Sequence, residues 1–216
     1  MRLLLTAFAR AVEDWWYGMI PFAVLNLLWF VCVISVVAGP PATAALLVVA
    51  RDAAIGQGAE PSSFFYAFRR LFWRSWRLGA ISAGGTFFLL LDIRFYGLLL
   101  SGNSLIYGMG MTLLVYILLL WCEALLIAWP LLVNQPDMAL RDLFRNTVLF
   151  ILRAPLLNLG LTALVALLLL FGLVVSFIIP LALGAVIALF VQHFLHLQAP
   201  TLAAWPPSPG EASVEC

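Results

Sequence analysis

Residues 32–52 read CVISVVAGPPATAALLVVARD, and this stretch decides how the chain is arranged in a membrane. Gly39-Pro40-Pro41 separates two apolar runs, and glycine and proline favour turns and helix boundaries. The tripeptide predicts either a turn between two membrane-crossing helices or a break in a segment that enters the bilayer and returns to the same side. The choice decides which face of the membrane carries the arginines from Arg51 to Arg77.

The composition of the whole chain indicates an integral membrane protein. Of its 216 residues, 65% are hydrophobic and 10% are charged, which leaves too few polar groups to cover a soluble domain. At roughly 20 residues each, five stretches are long enough to cross about 30 Å of hydrocarbon as helices: residues 18–38, 78–98, 104–130, 155–175 and 177–197. Helices are favoured because backbone groups must be satisfied in lipid and no alternating barrel pattern is present. The expected fold class is all-α, a polytopic helical membrane protein.

Charge and cysteine content argue against several classes of protein. The formal net charge is +1 and all eleven cations are arginine, which argues against general binding of nucleic acid. The cysteines Cys32, Cys122 and Cys216 are too scattered for a disulfide framework or a CxxC metal clip. The first nine residues imitate a signal peptide only weakly, because Arg10 and two acidic residues follow directly, and we expect them to be retained.

The distribution of arginine predicts the orientation, since cationic loops resist translocation. If Gly39-Pro40-Pro41 joins two full crossings, six helices cross, both termini are cytoplasmic, and ten arginines lie inside with only Arg94 outside. If residues 40–56 are re-entrant, five helices cross and the better orientation leaves eight arginines inside and three outside. We therefore predict six crossings, the second being a short helix of about 22 Å. The expected location is the bacterial cytoplasmic (inner) membrane.

Three segments predict helices that lie along the membrane surface. Residues 3–17 end in tryptophan and tyrosine, which suit headgroup depth. Residues 62–79 and 138–155 interleave aromatic residues with arginines, a pattern suited to an anionic leaflet. The arginines expected to contact the membrane surface or a partner are Arg69, Arg70, Arg74, Arg77, Arg141, Arg145 and Arg153.

The two basic segments also suggest an internal repeat. An offset of 76 residues gives five identities in 19 positions: Phe68 with Phe144, Arg69 with Arg145, Arg77 with Arg153, Gly84 with Gly160 and Thr86 with Thr162. This predicts a parallel repeat of residues 62–98 and 138–175 within a single helical domain of residues 1–198. The alternative is that any two basic amphipathic helices before a span look alike. Residues 199–216 are proline-rich and polar and predict a disordered tail.

Polar groups inside predicted spans are costly in lipid and are therefore candidate sites. The candidates are Asn26, Glu123 and Asn158. We expect Glu123 to serve either as a relay for a proton or cation or as a helix-packing group paired with an interfacial arginine. The two amides are expected to form interhelical hydrogen bonds. His193 and His196 share a helix face, but two ligands do not make a zinc site. We expect no catalytic residues, metal, cofactor or enzymatic activity.

Several motifs resemble the YesL-like family of bacterial integral membrane proteins, whose domain has no established function. The resemblance lies in Asn26-Leu27-Leu28-Trp29, in GPPATAAL from Gly39 to Leu46 and in the segment from Phe64 to Phe68, with a weaker second half at Trp129-Pro130-Leu131 and from Arg145 to Pro155. The doubled proline departs from the family's G-P-A-T-A-A-L pattern. The resemblance implies association with carbohydrate uptake, often beside ABC-type sugar importers, and it supplies no catalytic residues.

These patterns together predict a non-enzymatic accessory or scaffold membrane protein associated with a carbohydrate ABC-type import system. The alternative is a small secondary transporter or channel that uses Glu123 within the membrane. The expected partners are the lipid bilayer and transporter subunits, with a homodimer left open and nucleic acid excluded.

Overall fold

A computed structural model describes residues 2–99, 105–175 and 182–198. Within these ranges the chain is almost entirely helical and has no β-strand, which confirms the all-α, polytopic fold class. The described helices are α1 (Arg2–Tyr17), α2 (Met19–Ile34), α3 (Gly39–Ala54), α4 (Pro61–Arg70), α5 (Phe72–Leu99), α6 (Leu105–Asn134), α7 (Leu140–Arg153), α8 (Pro155–Val174) and α9 (Gly184–Gln198). The tail predicted over residues 199–216 lies outside the described residues.

Proline explains where three helices begin. Pro40 and Pro41 occupy the first turn of α3, Pro61 begins α4 and Pro155 begins α8. Proline suits these positions because the first N–H groups of a helix have no partner within it, and because the φ of proline is already helical. Gly39-Pro40-Pro41 is therefore the start of a helix, and residues 35–38 form the turn that precedes it.

α2 and α3 pack against each other as a helical hairpin. The indole Nε1 of Trp29 donates a hydrogen bond of 3.1 Å to Thr43 Oγ1 across the hairpin. Close to the turn, Gly39 lies against the backbone of Val33. Pairing of residues 29 with 43 and 33 with 39 means that the two helices run antiparallel.

α3 lies at the centre of the core. Eleven of its sixteen residues are buried, and it packs against α2, α4, α5, α6 and α9. Its alanines, including Ala42, Ala44 and Ala45, allow neighbouring helices to approach closely. A helix that is apolar on all sides must be covered by lipid or by protein. Here the protein itself covers α3.

Among the residues that the structure describes, three helices are long and apolar enough to cross a membrane: Phe72–Gly97 within α5, Gly108–Asn134 within α6, and Pro155–Val174, which is α8. Only 11%, 17% and 22% of the residues in their respective most apolar windows are buried inside the protein. Exposed faces of leucine and phenylalanine on long helices are typical of contact with lipid. The protein therefore has the helices of a membrane protein.

α5 and α6 form an antiparallel pair. Trp121 Nε1 donates to Thr86 Oγ1 at 3.1 Å, and Gly110 packs against the ring of Tyr96. We call the end of this pair where α5 begins and α6 finishes the arginine-rich end, because Arg74 and Arg77 lie there. α6 continues through Pro130 to Asn134, four residues beyond the predicted end of this span.

Six crossings are more than the described residues support. Three helices qualify by length and composition, or four if α1 and α2 are counted as one span, although these two meet at 98° around Gly18. α2 and α3 have 16 residues each and α9 has 15, so each is about 24 Å long or less, compared with about 30 Å of hydrocarbon. The difference arises because hydropathy does not distinguish an apolar helix covered by protein from one covered by lipid.

The two predicted repeat units share an order of helices but not a register. In each, an amphipathic helix is followed after a single residue, Leu71 or Ala154, by a long apolar helix. In the alignment with an offset of 76 residues, however, Leu71 falls opposite Thr147, in the middle of α7. The parallel repeat therefore remains a prediction from sequence.

Candidate functional site

α4 presents one face to the core and the other to the outside. Phe64 and Ala67 are buried, and α4 packs closely on α3. On the opposite face Phe65 is 56% exposed and Tyr66 is 66% exposed. We call the exposed residues of this face, together with the first exposed aromatic residue of α5, the α4 surface: Phe65, Tyr66, Arg69, Arg70 and Trp73.

A row of aromatic rings connects the buried and exposed parts of this region. Phe64 stacks on Phe68 with ring centroids 6.4 Å apart, Phe68 meets Phe72 edge-on at 6.1 Å, and Phe72 meets Trp73 edge-on at 5.5 Å. Such pairs contribute about 0.5–1.5 kcal/mol beyond the area they bury. Trp73, which is 76% exposed, is thus held by rings that continue into the core.

A cavity of about 220 Å³ opens beside the α4 surface. Its apolar walls come from α3, α4 and the end of α6. The polar residues that line it are Arg51, Asp52, Gln57, Ser63, Tyr66 and Arg70. Tyr66 and Arg70 belong to both the cavity and the α4 surface, so the two features form a single candidate site.

The charge of the cavity is set by a buried ion pair. Arg51 is 8% exposed, and its Nε and Nη2 atoms donate to Asp52 Oδ1 at 3.0 Å and 2.5 Å. Its Nη1 also donates to the backbone oxygen of Val133 at 3.4 Å, which links α3 to the end of α6. Because Asp52 balances Arg51, Arg70 adds the net positive charge at the mouth. The cavity can therefore accept a carboxylate or hydroxyl group from a bound partner.

The predicted surface arginines lie on two separate surfaces. Those exposed near the start of the α5–α6 pair are Arg69, Arg70 and Arg77, with Arg74 partly buried, and those exposed on α7 are Arg141, Arg145 and Arg153. α4 packs on α3, whereas α7 packs on α6 and α8. The structure thus brings Arg70 to the cavity and leaves the α7 arginines elsewhere.

The two amides predicted within spans each complete the end of another helix. Asn26 Oδ1 accepts the backbone N–H of Ala185 at 2.8 Å, in the first turn of α9. Asn158 Nδ2 donates to the backbone oxygens of Phe150 at 3.1 Å and Ile151 at 3.4 Å, in the last turn of α7. Helix ends carry backbone groups that have no partner within the helix. Both amides therefore position helices.

Glu123 is buried on α6, and its Oε1 atom has no hydrogen-bond partner within the described part of the chain. It lies eleven residues before the end of α6 at Asn134, or about 16 Å from the arginine-rich end. The sequence predicted about 10 Å, because Pro130 was taken as the end of the helix. A buried carboxyl group is costly in lipid, so Glu123 remains a candidate intramembrane site.

The sequence analysis did not predict two buried polar links. Gln192 Nε2 donates to the backbone oxygen of Leu47 at 3.1 Å, and Asn134 Nδ2 donates to Gln192 Oε1 at 3.3 Å. These bonds join α9, α3 and the end of α6. The signal that could have pointed to them is a glutamine inside the apolar run of α9, since a buried amide requires partners.

His193 and His196 do not converge on one point. His193 is buried on α9, and its Nε2 lies 2.6 Å from Asp14 Oδ2 on α1, whereas His196 is exposed. Among the residues that the structure describes, no three His, Cys, Asp or Glu side chains are grouped closely enough to hold a metal ion. The buried histidine therefore serves to link α1 to α9.

Comparison with known proteins finds a similarity over part of this architecture. No curated protein and no solved structure matches the chain. Residues 22–93, about a third of the chain, do match a family model. The matched segment runs from α2 to α5 and contains the α4 surface and every wall of the cavity except Val133 and Pro136. This part of the chain is thus similar to the family described as Protein of unknown function, DUF624.

Proposed function

We propose that the protein is a non-enzymatic accessory or scaffold protein of the bacterial inner membrane that binds a partner subunit through the α4 surface. The observation that carries this proposal is the exposure of Phe65 and Tyr66 on α4 and of Trp73 in the first turn of α5, beside arginines, while the other face of α4 is held by the core. Aromatic residues and arginine supply much of the binding energy at protein interfaces. A surface that is already rigid also loses little entropy when it binds.

The chemistry of the α4 surface defines the kind of partner. The exposed rings require an apolar surface, and Arg69 and Arg70 require acidic groups on it. A carboxylate side chain of the partner can enter the cavity next to Arg70. The YesL-like motifs from Asn26 to Phe68 support a subunit of a carbohydrate ABC-type importer as this partner, with both termini and the α4 surface in the cytoplasm.

The test is purification from native membranes with the α4 surface reversed in charge. Arg69→Glu with Arg70→Glu is expected to abolish recovery of importer subunits that co-purify with the unaltered protein, because like charges then face each other. Arg141→Glu with Arg145→Glu on α7 is the matched control, since it makes the same change on a second exposed basic helix.

The two pairs of substitutions distinguish the possible outcomes. Loss of importer subunits only in the α4 variant supports the proposal. Repeated recovery of the intact protein without any importer subunit would refute it. Loss of the α4 variant from the membrane fraction itself would show that the arginines contact lipid headgroups instead of a partner.

The second candidate function is transport through the membrane, and the burial of Glu123 favours it. A carboxyl group within a long apolar helix, with one oxygen unpaired in the described residues, is suited to carry a proton or a cation. In liposomes, Glu123→Gln is expected to abolish flux of the transported ion if this function is correct. Asp92→Asn on α5 is the control, because Asp92 is exposed. Absence of flux in the unaltered protein would reject the transport function.

A further inference from the structure

The turn between α2 and α3 exposes an apolar tip. Ile34 is 67% exposed, Val36 is 70% exposed and Val37 is 63% exposed. Val36 also has a φ of +57°, a conformation that a β-branched residue rarely adopts. A turn that faced water would more readily carry asparagine or glycine at such a position. The composition of this tip is therefore suited to a medium other than water.

The polar backbone groups of this tip have partners within the protein, although the tip is exposed. The N–H groups of Val36 and Gly39 donate to the backbone oxygens of Val33 and Val36, and Ser35 Oγ both donates to Cys32 O at 2.7 Å and accepts from Ala38 N–H at 3.4 Å.

The tryptophan at the start of α5 supplies one further partner. Trp76 Nε1 donates to the backbone oxygen of Val37 at 2.9 Å. Water would satisfy these groups without help, but hydrocarbon cannot, so irregular backbone at membrane depth requires such partners. An exposed, apolar turn whose backbone is hydrogen-bonded internally is suited to contact with lipid.

The position of the tip limits how far the hairpin reaches. The bond from Trp76 to Val37 places the tip beside the first turns of α5. Pro40 packs so closely on Gly79 that a Cβ there would lie 2.9 Å from the proline ring. From Gly79 to Gly97 the span continues for 18 residues, or about 27 Å. The tip therefore lies far from the opposite end of the α5–α6 pair.

The base of the hairpin lies at the arginine-rich end. Arg51 near the end of α3 is bonded to Val133, one residue before the end of α6. Both ends of α3 thus lie within the part of the structure that surrounds the start of α5 and the end of α6. We infer that α2 and α3 form a re-entrant hairpin, which inserts shallowly into the bilayer from the arginine-rich side and contacts the outermost lipid hydrocarbon with the tip at Ile34, Val36 and Val37.

This arrangement differs from a re-entrant segment of residues 40–56 alone, because α2 does not cross the membrane either, and it explains the distribution of arginines without six crossings. The hairpin returns the chain to the side from which it entered, so Arg2, Arg10 and the arginines from Arg51 to Arg77 share one side. α5 and α6 then cross and return, which brings the arginines of α7 to that side as well. Ten arginines again oppose Arg94 alone. The positive-inside rule therefore fits the re-entrant hairpin as well as it fits six crossings.

Site-directed spin labelling in the full-length protein tests the inference. Cys32, Cys122 and Cys216 are replaced by alanine, and single cysteines are introduced by Val37→Cys at the tip, Gln57→Cys after α3 or Gly97→Cys near the far end of α5. We expect a label at residue 37 to collide with oxygen, which dissolves in lipid, several-fold more than with a water-soluble nickel chelate. Labels at residues 57 and 97 are expected to show the reverse.

Labelling with an impermeant thiol reagent in intact cells and in inverted vesicles determines the side. Residue 57 should react from one side only, residue 97 from the other side only, and residue 37 from neither. Reaction of residue 37 from the side of residue 97 would overturn the inference and restore two full crossings. Protection of residue 37 from both oxygen and nickel would also overturn it, because the tip would then be covered by protein. Opposite sidedness at residues 57 and 97 verifies that these two variants are inserted, and recovery of the Val37→Cys variant from the membrane fraction in the same amount verifies that it is inserted as well.

Discussion

At the scale of single residues, Asn26 connects a sequence motif to the packing of the bundle. Its side-chain oxygen accepts the N–H of Ala185, while Gly184 lies against both Asn26 and Trp29. We predict that Asn26→Leu lowers the free energy of unfolding by about 1–3 kcal/mol, because a buried N–H loses its acceptor. Thermal unfolding in detergent measures the effect. Thr112→Leu is the control, since Thr112 is exposed and bonds only within its own helix; equal stability of the two variants would refute a role for Asn26 in holding α9.

The bond between Trp29 and Thr43 gives a second prediction at this scale. It joins the two motif segments across the hairpin at 3.1 Å. In a double-mutant cycle with Trp29→Phe and Thr43→Val, we expect a coupling energy of about 0.5–1.5 kcal/mol, which is the usual net contribution of one hydrogen bond to stability. Additive effects of the two substitutions on unfolding would mean that the motifs are held together by packing alone.

At the scale of elements, we predict that larger side chains at buried positions of α3 destabilise the protein. Ala45 is completely buried where several helices meet, so Ala45→Leu must displace packed neighbours. Overpacking of this kind typically costs about 1–3 kcal/mol. Ala80→Leu on the exposed side of α5 makes the same chemical change and should leave the melting temperature in detergent nearly unchanged. A similar loss of stability in both variants would contradict the central position of α3.

The helices were more predictable than their surroundings. Hydropathy located α5, α6 and α8, because runs of that length have few alternatives in a membrane protein. It did not predict that α3 would be covered by protein, since an apolar helix has the same composition in either medium. The cavity could not be predicted from the sequence either. Arg51 and Arg70, which both line it, are nineteen positions apart in sequence and are brought together only because α4 packs on α3. The basic aromatic pattern predicted the arginines of the α4 surface as membrane or partner contacts, and this remains a prediction.

At the scale of the whole molecule, the arginine-rich end is expected to determine which way the protein inserts. Arg69, Arg70, Arg74 and Arg77 precede the first long span, and each cation near an anionic leaflet contributes about 1 kcal/mol. Replacing all four by glutamine should therefore remove about 4 kcal/mol of the preference for one orientation. The substitutions are expected to change the orientation of the protein in the membrane and not the packing of its core, because three of the four side chains are exposed.

The sidedness of a cysteine at residue 57 measures this preference. In the unaltered background, the impermeant reagent should reach Gln57→Cys only in inverted vesicles. In the four-glutamine background, a substantial fraction should react in intact cells, or the amount of protein in the membrane should fall. Arg94→Gln is the matched control, since it removes the one arginine expected on the opposite side and should leave the labelling as it was. If the four-glutamine protein is inserted in normal amount with unchanged sidedness, the orientation is set by the helices themselves and the arginines of the α4 surface are available solely for binding.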